Sequence, residues 1–384
     1  MSKTWTTIVL LLGVAVIGSN SLVLSPILPD VARDLGTTPQ VVARAIAAYG
    51  GATGLSALLL GFTIDRYGAR TVLAAGSVLL ACGTFGSAVA PSWIVLALAQ
   101  AMAGLAAGTM LPAIYAAATQ VGTKAEGARI LGRVLTGWSV SLVAGVPASA
   151  LIAERFGWEA SFLVLGGLVL LGLVGFLRMP GRTSEPQRQT GAPSRSPLRA
   201  FGIPGAAALL AVQFLFMTAF YGTYAFFGDH LRGSLDLSAG FAGLVVLFYG
   251  IGFGLAALGD GIVDRIGPAR VLPAALGFVA LAYATMPLTA TALVGAFLAA
   301  FVWGFANHFV LNVLVLRLSD VAGDARGAVL GLNTAITYGG ALVGPLALGA
   351  VYADAGFGWL ALGAAGCVGL AAVVSVTTRR EVVA

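Results

Sequence analysis

Twelve apolar runs, each about as long as a helix needs to cross a bilayer, divide this chain almost from end to end. A crossing helix takes about 20 predominantly apolar residues. The runs fall near 5–28, 41–63, 71–90, 93–118, 130–152, 160–177, 203–227, 239–259, 271–288, 291–316, 327–351 and 359–377. Between spans nine and ten only Pro287 and a threonine-rich step mark a turn. Twelve spans need about 240 residues, which leaves loops and one linker from a chain of 384. Charged residues make up 9% of the chain and apolar ones 59%, whereas a soluble domain carries about 25% charged residues. The solvent for most of this surface is therefore lipid. The first run, behind Lys3, has the outline of a secretory signal. It continues to Leu28 and eleven comparable runs follow, so it reads as an uncleaved first span.

The positive charges orient the spans. With the N-terminus cytoplasmic, seventeen of the 21 Lys and Arg fall on the inner side, and Arg33, Arg44, Arg155 and Arg232 lie at or near the outside. That excess is the one expected of cytoplasmic loops. It places both termini on the cytoplasmic side, and the expected location is the cytoplasmic (inner) membrane of a bacterium. The formal charge of +6 is spread singly between apolar runs, which argues against nucleic acid as a partner. Cys82 and Cys367 lie inside apolar runs and read as small packing side chains. The stretch RMPGRTSEPQRQTGAPSRSP (178–197) is rich in Arg, Pro, Ser and Gly and reads as a cytoplasmic linker. Three parts follow: a six-helix bundle over 1–177, a linker over 178–200, and a second bundle over 201–384.

The two bundles echo each other. GFTIDRYGAR (61–70) returns as DGIVDRIGPAR (260–270). LPDVARDLGTTPQVVARAIAAYG (28–50) resembles FGDHLRGSLDLSAGFAGLVVLFYG (227–250), and the FGW of 156–158 returns at 357–359. Asp30 and Asp229, like Asp65 and Asp264, stand 199 positions apart. Separate stretches sharing one offset indicate an internal repeat. The expected fold is an all-α integral membrane protein with twelve transmembrane helices in two pseudo-symmetric six-helix bundles, and a ligand site in the cleft between them.

These motifs carry a resemblance. GFTIDRYGAR resembles the loop signature of the major facilitator superfamily between spans two and three, and DGIVDRIGPAR its degenerate copy between spans eight and nine. Asp260 stands in that copy where the first has Gly61. SLVAGVPASAL in span five resembles the antiporter-associated signature, and PILPDVARDLG (26–36) the first outer loop of twelve-span drug:proton antiporters. The resemblance implies the major facilitator fold, a transporter of the drug or sugar efflux branch, alternating access, and a cytoplasmic gate of Asp65, Arg66, Arg70, Asp264 and Arg265 that clamps the bundles. Two departures remove charge. Gln100 stands where span four of the family commonly has Arg, and Asn20 is the nearest polar residue in span one, where many proton-coupled relatives have a carboxylate.

Polar groups inside spans are unfavourable against lipid and mark candidate cavity positions. They are Asn20, Gln100, Tyr115 and Trp138 in the first half. In the second half they are Gln213, Tyr221, Tyr224, Asn307, His308, Asn312, Asn333 and Tyr338. The expected chamber lies where Asn307 and His308 meet Asn20. Every Asp and Glu falls at a span end or in a loop. The proton-coupling candidates are therefore His308, which titrates near neutrality, and Asp30 near the outer mouth, paired with Arg44. A cavity without a deep carboxylate suits a small neutral or weakly polar molecule. The reading is a monomeric secondary transporter, a proton-exchanging exporter, with uptake permease or uniporter as the alternative. Two His, two Cys and no Asp/Glu cluster give no metal site, and no phosphate-binding loop is present. No cofactor is expected, and a membrane-embedded enzyme or sensor is a remote alternative.

Overall fold

A computed structural model describes residues 2–179 and 201–377 of the chain. Apart from its first two positions, the expected linker at 178–200 lies outside the described residues. Where lipid replaces water, backbone N–H and C=O groups must be satisfied within the segment itself, and the apolar runs accordingly form helices. The first crossing is α1 (Lys3–Leu22) and α2 (Leu24–Asp34), bent at Val23. Then follow α3 (Pro39–Leu59), the short α4 (Phe62–Tyr67), α5 (Ala69–Ala88) and α6 (Trp93–Thr119). The fifth crossing is α7 (Lys124–Val140), a π-helical turn over Ser141–Gly145, and α8 (Val146–Phe156). Pro147 lacks the N–H that would close an ordinary turn there. The sixth crossing is α9 (Trp158–Leu177).

The second half runs α10 (Ala206–Leu235), α11 (Ala239–Ala256), α12 (Asp260–Ile266), α13 (Pro268–Thr289), α14 (Leu293–Ala322) and α15 (Arg326–Thr377). Among the described residues eleven helical stretches are long and apolar enough to cross a membrane. The longest, α15, has 52 residues, about twice what one crossing needs. Gly356, at φ 80°, breaks it into the eleventh and twelfth crossings. Several span ends run past expectation, among them α10 to Leu235 and α14 to Ala322. The first crossing passes Pro29 to Asp34, and α13 passes Pro287 to Thr289. Neighbouring helices tolerate proline within a membrane helix.

The repeat is written in the backbone. Positive φ angles at Gly36, Gly68, Gly122 and Gly157 recur at Asp236, Gly267, Gly323 and Gly356. Packing repeats as well. A Cβ on Gly104 would lie 2.2 Å from the Tyr49 carbonyl oxygen, and one on Gly304 would lie 2.0 Å from that of Tyr249. The α3–α6 and α11–α14 crossings are therefore copies, held close by a side chain reduced to hydrogen. The seam between the halves is self-complementary. Gly50 of α3 meets Ala341 of α15, and Gly250 of α11 meets Leu142 of the fifth crossing. Each contact is the other with the halves exchanged, which defines a pseudo-twofold axis between the bundles.

Candidate functional site between the halves

The loop between α3 and α5 lies on the same face as the N-terminus, and we call this the terminal face and its opposite the distal face. The distal face is tied shut. Arg232 of α10 reaches the carboxylate of Asp30 on α2 with both terminal nitrogens, Nη2 at 2.9 Å from Oδ1, and donates to the Pro26 carbonyl at 3.3 Å. The two side chains are only 16% and 22% exposed. Ser25 donates to the Tyr224 carbonyl. Glu154 accepts from Ser238 at 2.7 Å and from the Gly240 N–H at 2.6 Å, so a first-half carboxylate caps the start of α11.

The expected Asp30–Arg44 pair does not form. Arg44 lies over the Trp93 ring at 5.4 Å, and Asp30 is shared between Arg232 and Arg33. The end of α2 abuts α10, which brings Arg232 to the Asp30 carboxylate.

At the terminal face the clamp is unmade. Arg66 lies over Tyr67 at 5.3 Å, and Arg70 donates to the Leu177 carbonyl of its own half. Asp65, Arg66, Asp264 and Arg265 are exposed and form no ion pair across the halves among the described residues. The structure is closed at the distal face and unclamped at the terminal one.

Aromatic side chains of both halves meet between these faces. A Cβ added to Gly54 of the first half would lie 3.4 Å from Tyr338 Cβ, and the Tyr338 ring centre lies 6.5 Å from that of Tyr221. Trp138 donates to the Tyr115 hydroxyl at 3.1 Å, and Tyr49 to the Ile17 carbonyl at 3.3 Å. Phe220 touches Tyr221, Tyr224, Tyr249 and Trp303 at centroid distances of 5.0, 5.6, 5.8 and 5.6 Å. Beside them lies a void of about 10 Å³ bordered by Ser25, Tyr224, Tyr249 and Trp303, room for about one water. Buried polar atoms without a protein partner gather along the seam and just behind it. They include Ser21 Oγ, Tyr224 Oη, Tyr338 Oη, Gln213 Oε1, Asn307 Oδ1 and Asn333 Oδ1. An unanswered buried polar group costs about 1–3 kcal/mol, and the Gln213 and Asn307 oxygens lie on side chains whose amide nitrogens are already bonded within the second half.

Several candidates point elsewhere. Asn20 accepts from Thr84 of α5 at 3.4 Å, and Gln100 donates to Ser87 of α5 at 2.9 Å. Both are turned into the first bundle. Asn307 donates to Tyr249 at 3.0 Å within the second bundle, and Gln213 to Thr337 at 2.7 Å. His308 and Asn312 both engage Asp260. Among the described residues Asn307 and His308 make no hydrogen bond to Asn20, and each finds its partner within its own half. Tyr49, Tyr249 and Trp303 belong to the site's surroundings and were not singled out in the sequence, and Asp260 was noted there only as a departure from the loop pattern. The signal for two of them was present. Tyr49 and Tyr249 close the repeated AYG and FYG segments, 200 positions apart.

Comparison with known proteins agrees with this architecture. Residues 10–345 match the model of the Major Facilitator Superfamily. An uncharacterized MFS-type transporter, YwfA of Bacillus subtilis (strain 168), is 31% identical over 90% of this chain and 86% of its own. A chloramphenicol resistance protein of Streptomyces lividans is 26% identical, covering 88% and 86%. The crystal structure of the nucleoside transporter NupG superposes with a TM-score of 0.79 at 17% identity, over 98% of this chain and 99% of that one. Twelve crossings, a duplicated half and a seam that is tied at one face only are the parts of a carrier, not an enzyme, and the chain belongs to the major facilitator superfamily of transporters.

Proposed function

We propose that the chain exports small, neutral or weakly polar organic molecules across a bacterial cytoplasmic membrane in exchange for protons, with the terminal face cytoplasmic. The observation that carries this reading is the lining of the seam. Tyr115, Trp138, Tyr221 and Tyr338 are contributed by both halves, with unanswered hydroxyl and amide atoms among them. No carboxylate of the described residues stands at that depth. Aromatic faces suit a ring or an apolar skeleton, and hydroxyls and amides suit its polar substituents. A cation would lack a counter-charge there. The unmade clamp at Asp65, Arg66, Arg70, Asp264 and Arg265 belongs to the other end of the cycle, when the terminal face closes and the distal tie opens. The sign of the loop charges supports the orientation, and the drug-resistance relative supports export.

Chloramphenicol is the first compound to test. Everted vesicles with an acid interior are expected to accumulate it, and collapse of the pH gradient is expected to stop accumulation. Uptake that persists without the gradient would instead favour a uniporter. Tyr338→Phe removes one unpaired hydroxyl from the seam. It is expected to raise KM about tenfold with little change in kcat, the worth of one hydrogen bond. An unchanged KM would place the ligand elsewhere.

A further inference from the structure

Asp260 occupies a place where the first half has glycine, and it has a task there. Its Oδ1 lies 2.9 Å from His308 Nε2 and accepts from Asn312 Nδ2 at 2.9 Å. The His308 side chain is 13% exposed and that of Asp260 is 43% exposed. The carboxylate therefore sits between the imidazole and the terminal face. A carboxylate only accepts, so the hydrogen in the Asp260–His308 bond is on Nε2. The neutral ring then carries its basic lone pair on Nδ1, and a proton added there is opposite a fixed negative charge.

The ring is connected to the seam. Phe253 meets His308 edge-on at 5.1 Å and stacks on Tyr249 at 6.3 Å. Asn307, the residue before His308, donates to the Tyr249 hydroxyl. Tyr249 belongs to α11, whose Gly250 packs on Leu142 of the other half. The pair also ties the corner after α11 to α14, so its charge state acts on a helix that forms the seam.

Among the described side chains the other charged groups on the surrounding elements are Asp264 and Arg265 on α12, Arg270 on α13, and Arg317 and Asp320 on α14, with Tyr249 on α11 and Tyr283 on α13 as the nearby phenols. Asp229, His230 and Arg232 on α10 and Asp354 on α15 lie toward the distal face. The charged side chain in contact with the ring is Asp260. The second histidine of the chain, His230, instead lies flat on Phe357 at 4.1 Å.

The geometry points to His308 as the seat of the exchanged proton, with Nδ1 as the accepting atom and Asp260 and Asn312 as positioning residues. The inference rests on the proton-exchange reading. The step is a single transfer: a proton moves from distal water to Nδ1 when that face is open, no other bond changes, and Nδ1 releases it to water at the terminal face when the distal tie is made.

Two measurements on the full-length protein test the assignment. With 15N-labelled histidine the chain gives two imidazoles, and His308→Gln identifies them. The neutral His308 is expected to be the Nε2–H tautomer. Asp260→Asn is expected to mix the tautomers, and Asp260→Glu to restore the pure form. The second reads the distal seam. Cys82 and Cys367 are replaced by serine, and Ala242→Cys, buried at the distal void, is labelled with a thiol reagent. Its labelling rate is expected to change about fivefold or more between about pH 5 and about pH 8, and His308→Gln to abolish that response. A pure Nδ1–H tautomer, a response unaltered in His308→Gln, or no response in the parent overturns the assignment. Gradient-driven flux separates this inference from the reading beneath it. If His308→Gln keeps that flux, the seat is elsewhere and efflux stands. If the parent's flux ignores the gradient, both fall.

Discussion

Alanine at Gly304 is expected to remove the folded protein from the membrane, while alanine at Gly366 is expected to leave it unchanged. The added methyl carbon at Gly304 would lie 2.0 Å from the Tyr249 carbonyl oxygen, 2.9 Å from its carbon and 3.1 Å from the Phe253 nitrogen. All three are backbone atoms in the middle of α11, so no rotamer change relieves the clash. The helices must separate by more than 1 Å, which forfeits the dispersion contacts along the crossing. Overpacking commonly costs about 1–3 kcal/mol and more where backbone must move, and we expect at least the upper end. Gly104→Ala, 2.2 Å from the Tyr49 carbonyl oxygen, is its counterpart and should fail to a similar degree. Gly366 and its repeat partner Gly167 have nothing within 4 Å of the added carbon and act as controls. Yield of monodisperse protein in detergent, with thermal unfolding of whatever is recovered, reads the difference. Equal behaviour of Gly304→Ala and Gly366→Ala would mean that close approach at Tyr249 does not hold the bundle.

That contrast shows what sequence conveys about such a chain. Glycine spacing and the 199-residue offset revealed two equivalent bundles, and both are visible in the paired φ angles and paired crossings. Neither separates the tight Gly304 from the open Gly366, because the neighbour belongs to another helix. The polar residues show the same limit. Asn20, Gln100, Tyr221 and Tyr338 all interrupt apolar runs, but the first two bond to α5 inside one bundle, and the last two face the seam. A polar side chain among helices in lipid finds a partner wherever one is offered, so its presence does not reveal its direction. Asp30 was legible as a charged group at the outer mouth. Its partner Arg232, about two hundred positions away, depends on how the halves dock. His308 was legible as a titratable group within a span, whereas the carboxylate that orients it was recorded only as a departure from the loop pattern.

The docking itself is open to test at Arg232. Its guanidinium grips both carboxylate oxygens of Asp30, donates to Pro26, and donates to the Leu237 carbonyl at 3.3 Å. One side chain therefore fastens α2 to α10 and the turn after α10. Replacing Arg232 with alanine removes every one of these bonds but does not strand Asp30, which keeps Arg33 of its own helix. The penalty for leaving a buried charge unpaired, about 3–5 kcal/mol, is thus largely avoided. Exposed pairs are worth about 1 kcal/mol or less. At 16% and 22% exposure this pair lies between the two limits, and we expect a loss of about 2 kcal/mol from the distally closed form. That is about a thirtyfold shift toward distal opening, at 1.4 kcal/mol per decade. Glu154 still bridges to Ser238 and Gly240, which limits the shift and keeps the closed form accessible. Ala242→Cys should therefore label at least tenfold faster in an Arg232→Ala background, and the vesicles should lose most gradient-driven flux because the distal face no longer reseals efficiently. Asp30→Asn should have a smaller effect, since the amide oxygen still accepts one bond from the fork. Combining it with Arg232→Ala should add almost nothing, as residues acting through one contact are not additive. Effects that sum in the double variant, or a labelling rate that ignores Arg232, would show that the distal face is held by packing at Gly228, Gly240 and Gly243 and not by this ion pair.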